Sequence, residues 1–436
     1  MAGGPHALED EGSEDRPAED QPSPSPLATV RAYGPLTILK ALGPGLISGA
    51  SDNDPTTVAS IAVIGATTVY GLSWLTILLL PMLASIQVIS AQVGVVAKQG
   101  LQRAVRGTYG RGWGLLLLIS VLAVNVVTLA ADLEAGAASL SLLFHRPWQW
   151  FVIPFGVAAL GMLVLGSYDE VQRVLRYVLF VFVAYVVSAF VAHPNWGQVL
   201  HQTLLPPISF HPVYIQAALA LLGTTLTSYA YVWETIEEAE ERTPLRRLGL
   251  ARADAGFGMF FAVAVFWFIL ISTGATLGVH HQKVDTAQQA AQALTPVAGP
   301  LAGYIFAIGL LASAILAVPV LAATTAYILG EEFGWRRGLS EKVGRARRFY
   351  TALGAAVLLG IVISFAGISP IRILFVSGII GGLGTPISLV FLLLIARDQR
   401  VMRRYRVGRL LTAMGWGTAV LVAAVSVYFL YQTFVG

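Results

Sequence analysis

The chain has 436 residues, 56% of them apolar and only 12% charged, with a net charge of +4 and a mean hydropathy of +0.71. Soluble domains carry about 25% charged residues, so this composition excludes a soluble particle and the chain divides into membrane spans instead. The absence of cysteine excludes a disulfide framework, thiolate metal sites, iron–sulfur clusters and a cysteine nucleophile.

Residues 1 to about 33 form a separate regime. Seven acids lie between Glu9 and Asp20, followed by Pro22, Pro24 and Pro26. Such a segment buries too little apolar surface to repay ordering, and it is expected to be a disordered cytoplasmic tail. It lacks the pattern of a cleavable signal peptide.

Residues 34–436 are expected to form one transmembrane domain. Eleven apolar stretches follow the tail, at about 38–69, 73–97, 112–143, 149–166, 174–193, 212–238, 254–279, 299–329, 349–367, 370–396 and 409–433. Each suffices for a hydrocarbon core that needs about 20 helical residues. With the amino terminus placed in the cytoplasm, every basic residue falls on the inner side except Arg146, Lys283 and Arg372. That alternation supports the span count and places the carboxyl terminus outside. Topology and anionic lipid account for the basic loops, so no nucleic-acid partner is implied.

Two spans are interrupted. The first contains Ser51-Asp52-Asn53-Asp54-Pro55-Thr56-Thr57 in mid-run. Pro55 supplies no amide hydrogen and disfavours helix at Asp54, so the helix is expected to unwind there. An acid at a helix centre costs about 2.5–3.5 kcal/mol on insertion scales. Unwound backbone at that depth is tolerated only against protein or a water-filled cavity. The sixth span has a softer break at Gly223-Thr224-Thr225-Leu226-Thr227-Ser228-Tyr229, with Glu234, Glu237 and Glu238 beyond it. Its hydroxyls could instead bond back to carbonyls of the preceding turn. Spans one and six each open a set of five, and paired breaks at corresponding places point to an inverted-repeat transporter with a midplane site.

The third span adds Asp132 and Glu134, about 200° apart around a helix, so they face different surroundings. Either is a candidate proton-relay acid, and Glu234 is a further one. The external His280-His281-Gln282-Lys283-Val284-Asp285 stretch reads as a solvated surface rather than a metal trap.

The unwound segments offer the Asp54 carboxylate, the Thr57 hydroxyl and carbonyls near Ser51 and Thr224. All are oxygens, the ligands of hard cations such as magnesium and manganese. Acids without a basic partner favour a cation over an anion.

The stretches GPGLISGASDNDPTTVASIAVIGATTVYG, LGTTLTSYAYVWE, VPVLAATTAYILGEEFGW and PIRILFVSG resemble the natural resistance-associated macrophage protein (NRAMP) family of divalent-metal transporters, and its divergent bacterial relatives in particular. The resemblance runs from about residue 38 onward. It implies an all-α LeuT-type fold of 5+5 helices plus an eleventh, with helices 1 and 6 unwound at mid-membrane and, in typical members, proton-linked metal uptake. It places Asp54 at the metal-binding aspartate, Thr57 at a ligand asparagine, and Thr224 where a backbone carbonyl faces the metal. Thr227 stands where typical members have methionine, and Tyr229 where they have histidine. Losing the thioether removes the soft ligand, which implies magnesium or manganese over iron. The third-span acids are out of register with the family's proton route, so proton coupling is left open.

The expectation is a multi-pass cytoplasmic-membrane secondary transporter of a divalent cation, working by alternating access. Asp54 is the direct ligand, Thr57, Thr224 and Thr227 line the site, and Asp52 makes water-mediated contact or moves protons. The ion is cargo, no cofactor is expected, and membrane lipid surrounds the chain. The competing readings are a LeuT-fold carrier of an organic solute such as an amino acid, and a non-transporting membrane scaffold. An enzyme is not expected: there is no phosphate-binding loop, no HExxH helix and no nucleophile with a placed base.

Overall fold

The computed structural model describes residues 53–165 and 184–435. The acidic tail, the GPGL lead, Asp52 and the first half of the fifth span lie outside the described residues. So does any test of the tail as a separate region.

The described chain is helical throughout, as hydrocarbon requires: backbone groups that water cannot reach must be satisfied within the segment. In chain order the helices are α1 (Pro55–Thr68), α2 (Ser73–Ala97), α3 (Leu101–Tyr109), α4 (Arg111–Phe144), α5 (Gln149–Leu165), α6 (Trp196–Leu204), α7 (Pro212–Thr225), α8 (Ser228–Glu240), α9 (Leu248–Thr273), α10 (Ala302–Phe333), α11 (Arg347–Ser364), α12 (Pro370–Arg397) and α13 (Arg409–Phe434). Residues 184–191 are also helical. Among the described residues, eight segments are long and apolar enough to cross a membrane, one of them α7 and α8 taken together. The shorter α1 and α5 are apolar as well. The observed bounds follow the apolar stretches of the sequence to within a few residues. α9 starts earlier than its apolar stretch, at Leu248, and ends in one π-helical turn, Gly274–Gly278.

Start signals are local. α1, α7 and α12 each carry proline in the first turn, where a missing amide hydrogen costs nothing. α10 stops at Gly334, which takes the left-handed conformation (φ 68°) and returns its amide to the Gly330 carbonyl, as expected of a C-terminal glycine.

The helices assemble in two groups. α2 packs along α8 and α9, and α1 along α9; α4 packs along α5, α10 and α11. α12 joins the groups, lying against α1, α4 and α7. The α7–α12 contact is backbone on backbone. A Cβ on Gly223 would collide with the Gly378 carbonyl and the Gly382 amide, and one on Gly381 would stand 2.7 Å from the Gly223 carbonyl. The Gly378–Gly382 spacing, readable in sequence as either internal packing or a dimer seam, therefore serves close approach inside the protein.

At one end of the bundle, α3 is pinned by two buried acids in the last turn of α10. Glu331 accepts from the backbone amides of Gly100 and Arg103 (both 3.1 Å) and from Arg337 (3.2 Å). Glu332 accepts from the Gln102 side-chain amide (2.8 Å).

Gly223→Ala is expected to cost about 1–3 kcal/mol by overpacking. A lowered thermal midpoint of the purified protein would show it, while Gly417→Ala, with open space at that position, leaves the midpoint unchanged.

Candidate functional site

Asp54 is the N-cap of α1. Its backbone is extended (φ −65°, ψ 164°), and its Oδ1 accepts from the Thr57 amide at 2.7 Å. The motif produces this geometry directly: Asp favours the cap, and Pro55 fits the first helical position. The second carboxylate oxygen, Oδ2, accepts from the Tyr229 hydroxyl at 2.7 Å. Asp54 is only 2% exposed. A carboxylate at a helix amino end lies at the positive pole of the helix, which offsets part of the burial cost.

The sixth-span break is real and short. α7 ends at Thr225, Leu226 and Thr227 leave the helix, and α8 begins at Ser228 with Thr227 as its cap. The three threonines divide their roles. Thr225 bonds back to the Leu221 carbonyl (2.7 Å), the local arrangement any apolar helix allows. Thr224 instead faces α1: the Thr57 hydroxyl donates to its carbonyl at 3.0 Å and lies 3.2 Å from its hydroxyl oxygen. The Thr227 hydroxyl is buried without a hydrogen-bond partner among the described residues. One sequence expectation is corrected here: the Thr224 carbonyl is occupied by Thr57 rather than free. Glu234, beyond the break, lies within α8, where it accepts from Gln87 of α2 (3.1 Å). The acid of the paired breaks, among the described residues, is Asp54.

Thr56 and Thr57 sit about 100° apart on α1, so they reach different neighbours. While Thr57 meets α7, the Thr56 hydroxyl donates to Asp132 Oδ1 of α4 at 2.7 Å. Asp132 is fully buried, and its Oδ2 has no hydrogen-bond partner among the described residues. Glu134 is equally buried, with neither carboxylate oxygen partnered among them. The two acids diverge as their spacing requires, and Asp132 alone is linked to α1. Asn125, one face with Asp132, donates to Thr325 of α10 (3.3 Å), and Ser313 of α10 donates to the Asn53 carbonyl.

The structure thus brings together Asp54, Thr57, Thr224 and Asp132, with Thr227 at the adjoining break. It leaves Glu234 and Glu134 apart, and Asp52 lies outside the described residues. Sequence reasoning missed two direct contacts: Tyr229 on Asp54 and Thr56 on Asp132. The second was available in principle, because consecutive residues of a helix start cannot share one neighbour. The described residues hold no group of three or more His, Asp or Glu arranged around a metal, and His280, His281 and Asp285 are exposed. The arrangement is a small, buried, oxygen-lined junction between the start of α1 and the break between α7 and α8, with the Asp54 carboxylate at its centre.

The start of α1 at the Asp54 cap, meeting the span broken between α7 and α8, is the arrangement of a LeuT-type fold. The solved structures agree in fold. A manganese transporter of Eremococcus coleocola superposes with a TM-score of 0.69, at 20% identity over 90% of this chain and 86% of that one. MhsT in complex with L-phenylalanine superposes with a TM-score of 0.63, at 15% identity over 89% and 98%.

The family model for natural resistance-associated macrophage protein-like sequences matches residues 45–432, and the chain belongs to that family. Similar curated relatives are the divalent metal cation transporters MntH of Deinococcus radiodurans, 28% identical over 93% of this chain and 92% of the relative, and of Mycobacterium tuberculosis, 27% identical over 91% and 92%.

Tyr229→Phe leaves a buried carboxylate oxygen without its donor. The expected loss is about 1.5–3 kcal/mol, the range for hydrogen bonds to charged groups, and a thermal melt of the variant against the parent would measure it.

Proposed function

We propose that this chain is a secondary transporter of a divalent cation across the cytoplasmic membrane, working by alternating access and preferring magnesium or manganese to iron. The observation that carries the reading is the Asp54 carboxylate, buried at a helix break among oxygen groups with no basic side chain bonded to it. Such a group stabilises a cation and repels an anion. Family membership and the names of the MntH relatives support the same direction.

Asp54 is the ion's direct ligand. Each of its oxygens retains a lone pair beyond the bonds to Thr57 and Tyr229, so an ion can bind without first stripping the cap. The Thr57 hydroxyl and Thr224 carbonyl now bond each other; an ion between α1 and α7 replaces that bond and takes both oxygens as ligands. Thr227 presents a hydroxyl where a thioether would favour softer metals. Asp52 belongs to the same break by sequence. With so few protein ligands, a hard ion keeps part of its water, as magnesium does. The ion is substrate and no resident cofactor is needed.

Asp132 is the first candidate for proton transfer, since Thr56 links it to the residue beside Asp54. Glu134, and Glu234 on α8, are further from the junction. The amino terminus is cytoplasmic by the distribution of basic loops.

Proteoliposomes holding a magnesium-sensitive dye, with manganese run in parallel and a pH-sensitive dye as reporter of coupling, test the reading. Saturable entry that Asp54→Ala abolishes is expected. No metal entry with folded protein, or amino-acid uptake indifferent to metals, would sink it.

Thr227→Met is expected to move the preference from magnesium toward manganese or cadmium by roughly tenfold, about 1.4 kcal/mol. Competition uptake of the two ions in the same vesicles measures the ratio.

A further inference from the structure

Next to the α3–α10 contact lies a cleft of about 530 Å³ that the transport reading does not use. Its wall is formed by Arg103 and Arg106 of α3, Glu331 of α10, and Trp335, Arg336 and Arg337 just beyond α10. Four guanidinium groups converge on it. Three share a carboxylate: Arg337 with Glu331 (3.2 Å), Arg106 with Glu332 (3.7 Å) and Arg336 with Glu341 (3.1 Å). Arg103 gives only its backbone amide to Glu331, and its side chain makes no ion pair among the described residues.

Glu331 is the acid that lines the cleft, and three carboxylates, Glu331, Glu332 and Glu341, stand against four guanidinium groups. Glu331 and Glu332 are buried and already accept from backbone amides and from Gln102. Arg103 and Arg336 are exposed and Arg106 is partly so. The cleft therefore presents an excess of guanidinium outward, the group whose planar fork matches a phosphate oxygen pair.

The rim identifies the source of the phosphate. Phe333 is 45% exposed and stacks on Trp335, with ring centroids 5.4 Å apart. Trp113 is 55% exposed and adjoins Gly114, whose Cβ position abuts Glu332 and Arg106. Exposed aromatic rings at the ends of spanning helices mark the membrane–water interface. A basic cleft between helix ends at that level, on the arginine-rich face, fits a lipid headgroup held by its phosphate with acyl chains along the aromatic rim.

We propose that this cleft is a headgroup site for an anionic phospholipid, held by Arg103 and Arg336 and bordered by Trp113, Phe333 and Trp335. Occupancy adds a ligand to the junction where α10 holds α3. It is independent of which ion the protein carries.

The test uses the full chain, purified in neutral detergent and titrated separately with phosphatidylglycerol, phosphatidylcholine and glycerol 3-phosphate. Retained lipid is read by native mass spectrometry and stability by thermal melting. Phosphatidylglycerol is expected to be retained over phosphatidylcholine and to raise the melting point. The double variant Arg103→Gln/Arg336→Gln is expected to cut that retention by roughly fivefold or more while melting like the parent without lipid. The control pair Arg406→Gln/Arg409→Gln, which removes the same charge from exposed positions elsewhere, is expected to keep it.

Equal retention of the two lipids, or equal loss in the control pair, would overturn the proposal. So would full stabilisation by glycerol 3-phosphate alone, which assigns the cleft to a soluble anion. Neutralising the acids from Glu9 to Asp20 is expected to leave the lipid-free melting point unchanged. A shift that requires Arg103 and Arg336 would give the cleft to the chain's own acidic segment instead.

Discussion

Burying one carboxylate at the start of α1 is the constraint around which the rest is arranged. In hydrocarbon the cost of Asp54 is met by a concentration of donors: the Thr57 amide on one oxygen, the Tyr229 hydroxyl on the other, and the positive end of a helix behind them. The first donor exists because Pro55 starts the helix at the right residue. The second exists because the sixth span breaks at Leu226 and Thr227, which turns α8 so that Tyr229 meets α1. The two breaks are thus one device, each making sense of the other.

Around that centre the packing is as close as backbone allows. α7 is held against α12 through Gly223, Gly378, Gly381 and Gly382, so the broken helix has a fixed wall on one side. On the other, α4 contributes Asp132 and Asn125 from one face, while Glu134 is turned away. The polar groups of α1, α4, α7 and α10 form short links rather than one continuous chain. Thr57 joins α1 to α7, Thr56 joins α1 to α4, Asn125 joins α4 to α10, and Ser313 joins α10 back to Asn53.

Much of this was legible in the sequence, for identifiable reasons. The spans followed from apolar length, and the breaks from Asp54-Pro55 and from a run of hydroxyl residues that no apolar helix needs. What the sequence could not tell was direction around the helix axis. Thr224, Thr225 and Thr227 are alike as letters, yet one faces α1, one folds back on its own helix and one stands unpartnered. Glu234 follows the break closely in sequence, and only its place on α8 shows that it meets Gln87 rather than the junction. Glu331 and Glu332 gave a signal that was passed over: two acids in the last turn of an apolar helix stand at the unfavourable end of its dipole and so require partners elsewhere.

Those partners give α10 a second role beside its contact with the first break. Ser313 and Glu331 are 18 residues apart on α10, about 27 Å along its axis at 1.5 Å per residue, with Pro319 between them. At the first level α10 holds the unwound backbone of Asn53; at the second it holds the amides that open α3. Gly100 and Arg103 have no intrahelical acceptors for those amides, because they belong to the first turn. Glu331 therefore satisfies donors that would otherwise need water. A displacement of α10 against α1 must break Ser313 from Asn53, and a displacement of α10 against α3 must expose both the buried acid and the amides it serves. α10 is thus fastened near the carboxylate and again in its last turn, on either side of Pro319, which opens its hydrogen-bond ladder, so the two fastenings constrain its motion together.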